Sequence, residues 1–255
     1  MKIIQKASER LPEGADLILL GEYGSTSHGV STEDSDFDFI GVAVEPFSAV
    51  FGLESYEHTV LKDVAASEAT AAGDEEGTIY ALKKFLKLAE DGNTAIMSAL
   101  YLPKYEVLTE AGEMLVNARG LFRSKRVLRR FASHLENERR RMVGELGAKV
   151  LRPQLVEKFG FDTKAAYQAT KLAFHASRFA EVGELSIPFP ENEIATILSI
   201  RSGEMKREEV NELLVEARTR IDNEAENSTT LPDRPDREKI NELCAKIYRK
   251  VYKEV

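Results

Sequence analysis

The stretch that decides the fold is Gly21–Val44, GEYGSTSHGVSTEDSDFDFIGVAV. A short and mostly apolar run, Asp16 to Leu20, directly precedes it and predicts a buried strand. Phe37 to Val44 is rich in β-branched and aromatic residues and predicts a second strand. The glycines between them permit a sharp turn and bring backbone N–H groups close to an anion. The stretch therefore predicts two strands joined by a turn with anion-binding potential.

Two aspartates, Asp36 and Asp38, stand at the entry to the second predicted strand. Side chains alternate along a strand, so both carboxylates are expected to face one way, while Phe37 and Phe39 face the core. Two residues of strand span roughly 6.5 Å, which lets both carboxylates share one or two metal ions. Hard oxygen ligands favour Mg²⁺ or Mn²⁺. The alternative is a turn or cap at Asp36, with Asp38 a solvated edge residue.

The segment upstream of the aspartates carries Gly24 and Ser25 directly after the first strand. Ser25 can donate its hydroxyl to a phosphate, and a helix beginning here would point its positive end at the same anion. The alternative is a hairpin or loop without a ligand. A Gly-Ser turn after one strand, followed by Ser-Asp-x-Asp at the next, is more specific than either motif alone. The combination favours phosphate and metal binding.

The remaining pattern predicts an α/β unit of residues 1–105 followed by an all-helical unit of residues 106–255. Ser55 to Lys62 and Thr78 to Tyr80 predict two more strands, and Tyr80 to Asp91 predicts a helix that Gly92 ends. Strand signals fade after about residue 106. Helical periods cover residues 124–146, 162–185, 206–227 and 240–251.

Composition excludes several classes of protein. No stretch approaches the roughly 18 apolar residues that a membrane span needs, and without a targeting segment a cytoplasmic location is expected. The single cysteine, Cys244, cannot form an internal disulfide or a cysteine-based zinc site. The net charge of −8 argues against a sequence-blind DNA coat, but local basic patches still permit a nucleic-acid substrate.

GSTSHGVSTEDSDFDFIGV, residues 24–42, resembles the signature of the DNA polymerase beta superfamily of nucleotidyltransferases. Within it, the likeness is to the RNA-ligase-associated predicted nucleotidyltransferases of phages and bacteria. LKKFLKLAEDGN at residues 82–93, FDTKAAYQATKL at residues 161–172 and LP-x-x-PD at residues 231–236 resemble later motifs of that group. The resemblance implies an α+β protein whose nucleotidyltransferase core is a small mixed sheet, followed by helices that cover the nucleotide and present the acceptor.

The resemblance also implies a reaction and its site. A nucleotide would pass from a nucleoside triphosphate such as ATP to an acceptor hydroxyl, with two Mg²⁺ ions bound and pyrophosphate released. Gly24 and Ser25 would hold the triphosphate, and Asp36 and Asp38 the metal ions. The acceptor would be RNA, such as a tRNA end in a repair pathway. Two alternatives stay open: modification of a protein or small molecule, and a nucleotide-binding module without turnover.

A third carboxylate is expected in such enzymes, on a neighbouring strand, where it binds a metal and helps to deprotonate the acceptor hydroxyl. Glu76, just before the predicted strand at Thr78, is the candidate, and Asp74 is the alternative. Relatives more often carry Asp at this place. The alternative is that these acidic residues lie in a solvated loop and have no catalytic role.

Basic side chains on two predicted helices are candidates for substrate binding. At 100° per residue, one stripe of the helix from Asp162 contains Lys164, Gln168, Lys171, His175 and Arg178. Lys164 and Lys171 are the nucleotide-binding candidates of that stripe. The helix from Ser124 carries the nucleic-acid-binding candidates Arg129, Arg130 and Arg140. For both helices the alternative is an ordinary charged face, which on the second would pair with neighbouring glutamates.

Overall fold

The computed structural model describes residues 2–33, 35–62, 75–146 and 152–252. The α+β class is confirmed, with a mixed sheet in the N-terminal part and mostly helices after it. The strands are β1 Asp16–Tyr23, β2 Phe37–Val44, β3 His58–Leu61, β4 Glu75–Ala81 and β5 Val107–Leu108. The helices are α1 Lys2–Arg10, α2 Phe47–Phe51, α3 Leu82–Glu90, α4 Thr94–Ala99, α5 Glu110–Asn117, α6 Lys125–Met142, α7 Pro153–Phe159, α8 Thr163–Val182, α9 Glu191–Ser202, α10 Arg207–Asn227 and α11 Arg237–Tyr252. A 3₁₀ helix spans Arg119–Phe122.

The sheet has the strand order β3-β4-β2-β1-β5 in the described residues. Strands β2 and β4 are parallel, and the other neighbours are antiparallel. Gly77 permits the close approach of β4 to β2, since a Cβ there would lie 2.4 Å from the carbonyl oxygen of Phe39. The mixed sheet therefore depends on a glycine at this point of the β2–β4 pair.

One face of the sheet packs on α1. Its buried core contains Ile3 and Ala7 from the helix and alternate residues of the strands. The strand residues of this core are Leu20, Ala43, Leu61 and Ile79. Because side chains alternate, the residues between them project from the opposite face, and that face carries Asp38 and Glu76.

Contacts divide the chain into two units that are not contiguous in sequence. The first contains residues 1–90, 95–122 and 236–255, and the second contains residues 91–94 and 123–235. The last helix, α11, thus belongs with the sheet, where it packs against α3 and α5. This grouping differs from the linear division at residue 105. The assignment of catalysis to residues 1–105 and of substrate covering to residues 106–255 stays a prediction.

The second unit is helical. Helices α6, α8 and α10 pack against one another, and α9 packs on α8. Asp162, which is 1% exposed, caps α8 by accepting a hydrogen bond from the Ala165 backbone N–H at 3.0 Å, as its position before the helix predicts. Val210, Leu214 and Ile221 of α10 are buried at helical spacing, as the helical period predicted over residues 206–227 requires.

Four details differ from the sequence-based expectations. Phe37 is 41% exposed and does not face a core, because it is the first residue of β2 and lies beyond the residues that α1 covers. Helix α1 was not predicted. Strand signals do not end at residue 106, since the two residues of β5 pair with β1 at its edge. No helix follows Gly24, where residues 24–29 form turns.

None of the described helices is long and apolar enough to cross a membrane.

Helix α11 is held to the sheet unit by a buried carboxylate. Glu45 is 4% exposed and accepts a hydrogen bond from the Tyr248 hydroxyl at 2.6 Å. The Tyr252 hydroxyl donates to the Glu45 carbonyl oxygen, and the Lys83 backbone N–H donates to the carboxylate at 3.2 Å. Burial and the bond to Glu45 raise the pKa of Tyr248, so its hydroxyl stays protonated as a donor. Helix α11 is thus hydrogen-bonded to the residue that follows β2.

Tyr248→Phe should lower the free energy of unfolding by about 2 kcal/mol, since it removes a hydrogen bond to a buried carboxylate. Urea denaturation measures this loss. Tyr56→Phe is the control, because the bonds of the Tyr56 hydroxyl within the described residues are to neutral groups, at Thr59 and Ile79, and it should cost about 1 kcal/mol or less. Equal losses in both variants would contradict an anchoring role of Glu45.

Candidate active site

The candidate site is built on one row of side chains across the sheet. Asp38 of β2 lies opposite Tyr23 of β1 on one side and opposite Glu76 of β4 on the other. Leu61 pairs with Gly77, so Lys62, just past the end of β3, continues the row beside Glu76. Directly opposed side chains have Cβ atoms about 5 Å apart. Strand pairing therefore brings together residues that lie far apart in the sequence.

Three carboxylates converge in this row. One oxygen each of Asp36, Asp38 and Glu76 lies within 4.8 Å of the others, and all three residues are partly buried. Asp36 precedes Asp38 by two residues and lies on the same side, as the period of a strand predicts. Asp74, the alternative to Glu76, lies outside the described residues. The structure therefore brings the predicted carboxylates together, while their roles stay predictions.

The donor set fits a hard divalent cation. Three carboxylates at this spacing repel one another unless a positive charge lies between them. Oxygen ligands on a short stretch of sheet are what Mg²⁺ or Mn²⁺ binds, and a cysteine or histidine ligand is not part of the cluster. Lys62 supplies part of the positive charge, with its Nζ 3.5 Å from a Glu76 oxygen.

The glycine turn lies directly against Asp38. Gly24 has φ +89°, and a Cβ there would lie 2.6 Å from Asp38 Oδ2. His28 bonds the Gly24 carbonyl oxygen through Nδ1, and the Ser27 hydroxyl donates to the same oxygen at 3.3 Å. The Val30 N–H donates to the Ser25 carbonyl oxygen at 3.0 Å, which closes the turn. Glycine is needed here for both reasons, the left-handed backbone and the contact with the carboxylate.

Tyr23 forms the β1 end of the row. Burial raises the pKa of its hydroxyl to about 12, and the nearby Asp38 and Tyr80 add to the effect. The hydroxyl therefore stays protonated and can act as a hydrogen-bond donor inside the site. Its ring also meets that of His28 edge-on at 6.0 Å, which connects the row to the glycine turn.

A cleft of about 390 Å³ opens beside the carboxylates. Its lining from the strands consists of Tyr23, Asp38, Phe39, Ile40, Val60, Lys62, Glu76, Gly77, Thr78 and Tyr80, and Ala95 completes it. Apart from the carboxylates, most of these side chains are apolar or carry a hydroxyl. This mixture is typical of a small-molecule or nucleoside site.

The two candidate lysines of α8 lie in the second unit and differ in exposure. Lys164, in the first turn of the helix, is exposed, whereas Lys171 is 7% exposed within the helical core. His175 of the same predicted stripe is also buried. The stripe is thus not a continuous exposed face, because α8 is enclosed by α6, α9 and α10 over much of its length. Nucleotide binding by Lys164 and Lys171 stays a prediction.

The three candidate arginines all have partners within the second unit. Arg129 lies 3.8 Å from Asp233, and Arg130 donates to the Asp91 carbonyl oxygen at 3.1 Å. Arg140 lies 3.5 Å from Glu145. These are the pairs that an ordinary charged helix face forms, so the geometry favours the alternative interpretation. A nucleic-acid-binding role of the three stays a prediction.

Sequence reasoning missed Tyr23, Lys62 and Tyr80 as site residues. Tyr80 ends the strand predicted at Thr78, so the alternation of side chains could have placed it on the same face as Thr78 and Glu76. Tyr23 lies beyond the predicted strand Asp16 to Leu20, so those bounds left it out. Lys62 carried no such signal, because its neighbour across the sheet depends on which strands pair and in which register.

Carboxylates on adjacent strands of a mixed sheet, beside a glycine turn, form the arrangement that the resemblance to the DNA polymerase beta superfamily implies. The comparison with known families agrees. Residues 3–246 match the family model of RlaP, described as the RNA repair pathway DNA polymerase beta family, and the chain belongs to this family. No curated protein shows significant similarity to the chain. The resemblance drawn from the sequence is confirmed, and the family supports a nucleotidyltransferase connected with RNA repair.

Gly24→Ala should weaken Mn²⁺ binding by about tenfold or more, because the added methyl group displaces the Asp38 carboxylate. Calorimetric titration with Mn²⁺ measures the affinity. Gly160→Ala is the matched control, since Gly160 has φ +82° and a Cβ there would meet nothing within 4 Å. Both variants bear similar backbone strain, so a similar loss of Mn²⁺ affinity in both would contradict the steric explanation.

Proposed function

We propose that this protein is a metal-dependent nucleotidyltransferase that moves a nucleoside monophosphate from a nucleoside triphosphate to an acceptor hydroxyl on RNA. The observation that supports the proposal most is the convergence of Asp36, Asp38 and Glu76 within 4.8 Å beside the Gly24 turn. Membership of an RNA repair family supports RNA as the acceptor. A tRNA end and ATP are the particular substrates that we favour.

The three carboxylates would hold one or two Mg²⁺ ions, which when bound neutralise the phosphates and the attacking oxygen. The acceptor oxygen forms a bond to the α-phosphorus, the bond from the α-phosphorus to the bridging oxygen breaks, and pyrophosphate leaves. Glu76 is the group that we assign to accept the proton of the acceptor hydroxyl. Asp36 and Asp38, just before and near the start of β2, would fix the position of the metal ions, as positioning in phosphoryl transfer requires.

The glycine turn would hold the triphosphate. Backbone N–H groups around Gly24 and the hydroxyl of Ser25 are suited to phosphate oxygens, because they donate hydrogen bonds without adding bulk. The protonated Tyr23 hydroxyl is a further donor at this end of the row. We assign the helical residues, including the exposed Lys164, to binding of the nucleotide and the acceptor.

Pyrophosphate release in the presence of Mg²⁺ tests the proposal. Each common ribonucleoside triphosphate is supplied with and without a total RNA pool. We expect RNA-dependent release, and a loss of about a thousandfold or more in the Asp36→Asn/Asp38→Asn protein, since carboxylates that hold the metal ions contribute several kcal/mol. Bound triphosphate without release under any condition would contradict RNA transfer and favour another acceptor or a binding module.

Glu76→Gln should reduce the rate by roughly a hundredfold or more while triphosphate binding persists, because the amide cannot accept the acceptor proton. Single-turnover kinetics and thermal melting measure rate and folding. Glu75→Gln is the control on the same strand, since its side chain projects from the opposite face. A near-normal rate for Glu76→Gln would remove this residue from the site.

A further inference from the structure

The groups on the two sides of Asp38 differ in their chemistry. On the β1 side lie the Gly24 turn and Tyr23, the groups suited to the triphosphate. On the β4 side lie Glu76 and then Lys62. The cleft, which Tyr23 and Asp38 border from the other side, extends from them over Thr78 and Tyr80. If the triphosphate lies on the β1 side, the β4 side is left for the acceptor. The cleft therefore begins at the carboxylate that we assign to the acceptor hydroxyl.

The charge of this cleft constrains what can enter it. Among the described residues that line it, Lys62 is the only cationic side chain, while Asp38 and Glu76 are acidic. A phosphate placed beside two carboxylates is repelled unless a cation lies nearby. The Lys62 side chain is 25% exposed and that of Glu76 is 27% exposed, so the pair is accessible to a ligand.

The other lining side chains match a nucleoside. Ile40 and Val60 offer apolar contact, and the hydroxyls of Thr78 and Tyr80 can bond a ribose or a base edge. A volume of about 390 Å³ suits a single nucleotide and not a folded protein segment. A neutral acceptor would gain no charge-assisted contact from a lysine in this position.

We propose that the cleft takes the terminal nucleotide of an RNA acceptor and that Lys62 binds a phosphate of that nucleotide. This inference rests on the proposed function and assigns Lys62 and the cleft to the binding of its acceptor. The ammonium of Lys62 has three N–H donors, so it can contact the phosphate and still bond Glu76. Lys62 thereby offsets the repulsion between the phosphate of the acceptor and the carboxylates that the acceptor hydroxyl must approach.

The test is binding of a short fluorescent single-stranded RNA, measured by anisotropy with Mg²⁺ at several salt concentrations and without triphosphate. Lys62→Met should weaken binding roughly five- to tenfold, the loss of one charge-assisted contact. It should also lower the slope of log affinity against log salt concentration by about 0.7, the contribution of one phosphate contact on a single strand. Lys62→Arg should restore most of the affinity and the slope.

Lys84→Met is the matched control, because Lys84 also pairs with a glutamate of the sheet unit, Glu57 at 3.1 Å, and does not line the cleft. It should leave RNA binding unchanged. An unaltered salt slope in Lys62→Met, equal losses in the two methionine variants, or no RNA binding by the unmodified protein would each overturn the inference. Pyrophosphate release with triphosphate is a separate measurement, so a failure of the proposed function is distinguished from a failure of the role of Lys62.

Discussion

The parallel pairing of β2 with β4 is the constraint on which the rest of the site depends. It sets Asp38 opposite Glu76, and the pairings on either side extend the row to Tyr23 and Lys62. A shift of one residue in this register would turn Glu76 to the other face of the sheet. The register is held by the buried core on the α1 side and by Gly77, where the strands approach too closely for a side chain. Fold stability and site geometry thus rest on the same pair of strands.

The site also places three carboxylates close together, an arrangement that is unfavourable without cations. Asp36, Asp38 and Glu76 have oxygens within 4.8 Å of one another, on a partly buried surface. Such a cluster destabilises this end of the β2–β4 pair unless cations offset the charge. Lys62 offsets part of it in the protein itself. The remaining charge is a reason for the site to bind divalent cations, and under the proposed function it gives the acceptor side a use for a cation of its own.

The first and last described helices, α1 and α11, both belong to the unit that contains the sheet. Helix α1 covers one face, and α11 returns to the sheet unit after the whole helical unit has been traversed. Its anchor is Glu45, one residue past β2, so the strand that carries Asp38 is held at its entry by the glycine turn and at its exit by α11. A strand fixed at both ends suits catalysis that works by positioning, since small displacements of a carboxylate lower the rate.

Much of this protein was determined by local sequence. The β-branched and aromatic residues of Phe37–Val44 predicted β2, the spacing of Asp36 and Asp38 predicted that both carboxylates face one way, and the cap at Asp162 predicted the start of α8. These features depend on backbone periodicity and on contacts between near neighbours, which the sequence displays directly. The tertiary structure alone decided that Lys62 and Tyr23 join the row, that Lys171 is buried, and that α11 packs with the sheet. The reason is that the packing of the whole unit determines which strands are neighbours and in which register they pair. The local sequence does not specify which distant residue each residue will contact.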